Sequence, residues 1–250
     1  MAGGLDDKVA LVTGAGRNIG RAIALRLARD GAAVVVNGRQ DRAAIEAVSA
    51  EIAAQGGRAL PHLADIADPD AVAGLMAVAE AAFGGLDIVV CNAGLRRQTA
   101  FLDMGFAEWR EILSVALDGA FLVARAAAPI MARRGGGAIV ALSGISTHLG
   151  TPQRAHVSAS KAGLEGLMRA LAVELAPLGI RCNSVAPGTI DTARGASAGA
   201  LPPTLAGSGI PLGRKGSAEE IAEMVRLLAG PEGGYVTGQT IHVNGGAFLT

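Results

Sequence analysis

Aromatic side chains are nearly absent from this 250-residue sequence: one tryptophan, one tyrosine and five phenylalanines make up 3% of it. That scarcity argues against an aromatic-rich binding face. With alanine and glycine filling much of the remainder, it points to helices packed tightly on a sheet. Net charge is also lacking. Lys plus Arg and Asp plus Glu number 22 each, so the basic surface that a nucleic acid or an anionic membrane requires is not expected. Cysteine is limited to Cys91 and Cys182, each in an apolar stretch. Buried thiols in a cytoplasmic setting are therefore expected, not a disulfide framework. The opening residues have neither the basic end nor the apolar run of a signal peptide. No uninterrupted apolar segment looks long enough to span a bilayer, and no metal site is expected.

What is present is core material: half of the residues are hydrophobic, ample for one α/β domain. Short β-branched runs near 9–12, 33–36, 59–63, 88–91, 138–142, 182–185 and 240–243 alternate with alanine-rich amphipathic runs. The latter lie near 19–29, 43–55, 71–83, 108–133, 157–176 and 218–229. Apolar strands separated by helices indicate a parallel sheet covered on both faces. Right-handed crossovers make that sheet doubly wound, a Rossmann fold in a single domain over 1–250. One segment breaks the alternation: residues 193–213 are rich in Gly, Ala, Pro and Ser, and a lid is expected there.

Between the first strand and first helix lies Thr13-Gly14-Ala15-Gly16-Arg17-Asn18-Ile19-Gly20. A Gly-rich turn at this place lets a pyrophosphate approach the unpaired N–H groups and positive dipole end of a helix. The stretch resembles the TGxxxGxG motif of the short-chain dehydrogenase/reductase family, with Asn18 at the middle glycine. Asn is the non-glycine residue that best tolerates positive φ. Cys91-Asn92-Ala93-Gly94 resembles the family's NNAG segment, and Asp65-Ile66 the acidic pair beside adenine. Pro187-Gly188-Thr189-Ile190-Asp191-Thr192 resembles its nicotinamide-lining segment, and Asn244-Gly245-Gly246 its C-terminal strand ending. The resemblance spans nearly the whole chain. It implies a nicotinamide cofactor, a small carbonyl or alcohol substrate, and a homodimer or homotetramer built on the 108–133 and 157–176 helices and the last strand.

Cofactor preference is readable at the end of the second strand. An NAD site usually carries an acid there for the ribose 2′-OH. Here the strand runs into Asn37-Gly38-Arg39, with Gly38 at the acid position and a cation following. A guanidinium fork suits a phosphate, and Arg17 adds a second charge. NADP(H) is favoured over NAD(H). Asp41 falls where a helix N-cap belongs.

The catalytic positions are a different matter. The family uses a tyrosine as acid/base, a lysine four residues later that tunes it and holds the ribose, a serine that polarises the oxygen, and an asparagine. Lys161 matches that lysine. Val157, Gly144 and Ala116 fall on the tyrosine, serine and asparagine positions, and none of them donates a proton. Several replacements are conceivable. If the helix already includes Arg154, that residue projects beside Val157 and Lys161 on one helix row. His148 lies in the loop leaving the fifth strand, and a histidine is a residue type suited to proton exchange. His156 is a further candidate, although it is one residue off the row and should face a neighbour. Ser143 offers a hydroxyl but points to the other side of its strand unless the chain twists. Arg96, Arg97, Arg154, Arg194 and His148 suggest a cationic rim for an anionic substrate.

Three functions therefore stay open: an NADP(H)-dependent oxidoreductase with rebuilt proton delivery, a non-redox enzyme using His148 and the arginines, and a nucleotide-binding protein without catalysis.

Overall fold

The computed structural model describes residues 4–192 and 209–250. The lid expected over 193–213 therefore lies outside the described residues as far as 208, as does Arg194. Seven strands form one parallel sheet: β1 (Val9–Val12), β2 (Ala33–Gly38), β3 (Arg58–Leu63), β4 (Ile88–Cys91), β5 (Gly137–Leu142), β6 (Ile180–Pro187) and β7 (Thr240–Val243). Their order is β3-β2-β1-β4-β5-β6-β7. The order reverses beside β1, and the crevice beyond the carboxyl ends of β1 and β4 is where such sheets bind ligands.

The helices are α1 (Asn18–Arg29), α2 (Arg42–Ala54), α3 (Pro69–Phe83), α4 (Phe106–Leu113), α5 (Gly119–Arg133), α6 (Ser146–Leu149), α7 (Ala155–Glu174) and α8 (Ala218–Ala229). Central strands such as β1 and β4 are buried at every residue, which is why they read as unbroken apolar runs. The two edge strands, β3 and β7, are only partly buried, and they carry His62 and His242. Pro61 is tolerated in β3 because an edge strand has ladder positions to spare. Two apolar clusters fill the layers. One lies under α3, α5 and α7, the other under α1, α2 and α8.

Two expectations need revision. The single helix expected over 108–133 is α4 and α5 joined through a π-turn, Ser114–Asp118. The whole run Phe106–Arg133 also has the length and composition of a membrane span, contrary to the sequence reading. Its most apolar window is 56% buried within the domain, and packing against the sheet accounts for that apolarity. Cys91 and Cys182 are free, buried thiols, and burial pushes both up to about 12.

Helix capping already separates the elements by role. Asp41 caps α2 by accepting from the Ala44 N–H at 3.0 Å. Asp68 caps α3, and Ser217 with Glu220 forms a reciprocal capping box on α8. The residue before α1 is Arg17, which makes no capping bond, and no acid stands in its first turn. That helix end faces the crevice with its N–H groups unclaimed by a cap.

Candidate active site

Backbone-to-backbone proximity builds the cofactor half. Gly14 has φ 63°, and a Cβ there would stand 3.0 Å from the Ala93 Cα. A Cβ on Gly20 would collide with the Gly14 carbonyl and lie 2.6 Å from Asn92 Nδ2. Asn18 occupies the left-handed region at φ 51°, which its residue type permits. Thr13 and Asn92 lock this turn to the end of β4. The Thr13 hydroxyl donates to the Val90 carbonyl at 3.1 Å and accepts from the Asn92 and Ala93 N–H groups at 3.0 and 3.1 Å. The Asn92 amide donates to the Thr13 and Gly14 carbonyls at 2.9 and 3.0 Å. Asn37 likewise spends its amide on the sheet, donating to Ala64 O at 3.1 Å and to His62 O at 3.3 Å. These two asparagines therefore hold the cradle in shape.

The result is a cleft of about 390 Å³ that runs from Arg39 past the Gly14–Gly20 turn to Thr192. Most residues singled out on the β1–α1 turn and at the ends of β2, β3 and β4 line it, including Arg17, Gly38, Arg39, Asp65, Ile66 and Gly94, whereas Thr13, Ala15 and Cys91 do not. Arg17 and Arg39 are exposed, with their charges available at the cleft wall. An elongated cleft with an open helix end, and glycines where a Cβ would fill the cradle, fits a dinucleotide.

An adjoining cleft of about 180 Å³ is lined by Lys161, Pro187, Gly188, Ile190 and Thr192, and also by Ser143, Gly144, Arg154 and Val157. Lys161 Nζ donates to the Leu142 carbonyl at 2.5 Å. Burial and, secondarily, the nearby Arg96 charge lower its ammonium to about 8. Val157 is 5% exposed and brings only methyl groups. Arg154 is buried at the residue preceding α7 and lines the cleft. Ser143 is 9% exposed, lines the cleft, and its hydroxyl has no hydrogen-bond partner among the described residues. The chain's one tyrosine, Tyr235, is wholly exposed. It adjoins Val236 and Gly238, which bond near the start of β6, at the opposite end of the strands from the clefts.

The two histidines proposed for acid/base work turn elsewhere. His148 places Nε2 3.1 Å from Glu165 Oε1 and stacks on Phe248 with ring centroids 5.1 Å apart. Its ring also meets His242 edge-on at 4.7 Å. His156 is fully buried, with Nε2 3.1 Å from Glu108 Oε1 and Nδ1 accepting from the Val157 N–H at 3.0 Å. Neither lines the clefts. Of the expected cationic rim, Arg96 lines both clefts, whereas Arg97 makes a two-pronged bond to Glu111 at 2.6 and 3.1 Å. Asp118 pairs with Arg110 at 3.2 Å. Lys215 was missed: it lines the second cleft and lies 3.4 Å from Asp191. No periodic or motif signal marks it in its irregular stretch.

Comparison with known proteins matches this geometry. The family described as enoyl-(acyl carrier protein) reductase matches residues 14–247. A 3-oxoacyl-[acyl-carrier-protein] reductase from Synechocystis sp. is 41% identical over 246 residues, 98% of each chain. A crystal structure of a short-chain type dehydrogenase/reductase from Mycobacterium marinum superposes with TM-score 0.90 at 40% identity, covering 98% of this chain and 97% of that one. The chain belongs to the short-chain dehydrogenase/reductase family. It is thus an oxidoreductase fold built for a nicotinamide cofactor and a small-molecule substrate. Substrate does not follow from family membership. An L-rhamnose 1-dehydrogenase (NAD(P)(+)) from Azotobacter vinelandii is also 41% identical, over 98% of each chain. A 7α-hydroxysteroid dehydrogenase complexed with NADH and a bile-acid ketone superposes with TM-score 0.91 at 32% identity, over 97% of this chain and 94% of that one.

Proposed function

We propose that the protein is an NADP(H)-dependent oxidoreductase of a carbonyl or alcohol substrate, with proton delivery rebuilt around Lys161. The observation that carries this reading is the glycine-lined cradle open to an uncapped helix end, beside a cleft that holds Lys161. Arg39 and Arg17 at the cleft wall, with Gly38 leaving the acid position empty, support NADP(H) over NAD(H). Arg96, Arg154, Lys161 and Lys215 line the second cleft against one carboxylate, Asp191, which supports an anionic substrate. When bound, the nicotinamide supplies or accepts the hydride. The chain's residues orient the substrate and manage the proton at its oxygen. Ser143 supports a further role as the hydroxyl that polarises that oxygen. A homo-oligomer is supported by exposed Phe106 and Phe121 on α4 and α5 and exposed Val173 on α7.

A non-redox reading needs a titrating histidine beside the substrate, and both candidates face other partners. The test is a panel of anionic ketones and aldehydes with NADPH and with NADH, followed by absorbance. Turnover with NADPH is expected. Tight NADPH binding without turnover on any member would favour a binding protein and defeat the oxidoreductase reading.

A further inference from the structure

With the phenol gone, some other group must give the substrate oxygen its proton. Among the described residues that line the clefts, groups able to do so near neutral pH are few. The hydroxyls of Ser143, Ser146, Thr189 and Thr192 polarise an oxygen but do not readily ionise. Arg96 and Arg154 do not release protons in proteins. Asp191 and Lys215 are exposed and lie against each other at 3.4 Å. His148 and His156 are engaged by Glu165 and Glu108.

Lys161 remains. It stands one helical turn after Val157, on the same row of α7, and both line the cleft. Its Nζ gives one N–H to the Leu142 carbonyl, and an ammonium has three to give. On the side of Gly94 no side chain intervenes: a Cβ built on that glycine would lie only 3.4 Å from Nζ.

We propose that the Lys161 ammonium is itself the proton donor to the substrate oxygen, acting directly where the family uses a tyrosine; this rests on the oxidoreductase reading above. In the reducing direction the hydride bonds to the carbonyl carbon as the C=O π pair moves to oxygen. One Nζ–H bond breaks, an O–H bond forms, and Lys161 is left as a neutral amine that regains its proton from water. The oxidising direction runs the same bonds in reverse, with the amine as base. Burial favours the neutral amine, and so does the Arg96 charge. The group faces Arg96 beyond β4, Cys91 on β4, Arg154 ahead of α7, and Asp191 and Lys215 across the cleft. An ammonium lowered to about 8 is a far better matched acid at neutral pH than an ordinary lysine.

The first measurement needs no cofactor: NMR titration of the Lys161 side chain in the wild-type protein. A midpoint near 8 is expected, and one above 10 overturns the proposal. The second is kinetic, at saturating NADPH. Lys161→Arg keeps the charge but releases no proton, so kcat should fall about 10²- to 10⁴-fold with NADPH still bound. Lys161→Ala should regain activity with added methylammonium and not with tetramethylammonium, which carries charge without a proton. Rescue by both ions, or a Lys161→Arg enzyme with wild-type kcat, shows that only the charge matters and overturns the proposal. Absent turnover in the wild-type protein would instead defeat the oxidoreductase reading on which it rests.

Discussion

The two clefts share a wall at Asn92, Gly94 and Thr192, yet they treat the family pattern in opposite ways. The cofactor half matches nearly every motif of the resemblance, while in the substrate half the resemblance matches Lys161 and expects a hydroxyl, a phenol and an amide where Gly144, Val157 and Ala116 stand. The difference follows from what each half is made of. The cradle is backbone: glycines packed against carbonyls, an uncapped helix end, asparagines spent on main-chain groups. One side chain added there collides with atoms that cannot move. The substrate half is built from side-chain tips on a scaffold that accepts their loss. Val157 packs where an aromatic ring is expected, and α7 continues undisturbed through it.

The largest expected effect comes from restoring the lost tips. Val157→Tyr combined with Gly144→Ser should raise kcat about 10³-fold. A Cβ at Gly144 meets nothing closer than 3.9 Å, so the serine should be accommodated. A double variant that binds NADPH normally and gains nothing would mean the substrate half is rebuilt for different chemistry. Gly20→Ala attacks the other half. Its Cβ would strike the Gly14 carbonyl and the Asn92 amide, and NADPH affinity should fall about 10²-fold, or ~2.7 kcal/mol. Calorimetric titration measures it, and an unchanged Kd would show that the cradle is not the binding site.

The same contrast decides what could be read from the sequence. Strands, helices and the Gly-rich turn were legible because burial and backbone geometry are written locally, as apolar runs and glycines. That Val157, Gly144 and Ala116 stand where the family carries its tyrosine, serine and asparagine is an expectation from the resemblance, and the structure adds that the one tyrosine, Tyr235, is wholly exposed. Side-chain direction was not legible. His148 turns from the cleft because Glu165 on α7 and Phe248 in the C-terminal segment receive it, and no local pattern brings those three together. The π-turn inside 106–133 was hidden too, since its sequence reads as uninterrupted helix.

A smaller effect tests the phosphate preference. Arg39 is exposed and lines the cofactor cleft. Arg39→Ser should weaken NADPH about 10-fold, ~1.4 kcal/mol, which is modest because the guanidinium is solvated. NADH affinity should stay unchanged. Equal losses for both cofactors would place Arg39 on the shared pyrophosphate or remove it from the site.

The smallest effect concerns the loop that joins the halves. After β5 the chain passes Ser143 and Gly144 at the cleft, then reaches α6, where His148 anchors it to Glu165, His242 and Phe248. Burial, then the neighbouring His148, lower the His242 pKa below 6.5, against a smaller opposing pull from Glu165. The folded state thus resists a proton that the unfolded chain accepts. Unfolded protein binds more protons as pH drops through 6.5 toward the lowered value, so stability must fall across that window. His242→Phe removes the titrating group while keeping a ring against His148. Its Tm should therefore decline less than the wild-type Tm between pH 7.5 and 5, by about 2 °C. Parallel declines in the two proteins would show that the histidine cluster does not sense pH. The loop beside the cleft would then be held by packing on Phe248 and the Glu165 bond alone.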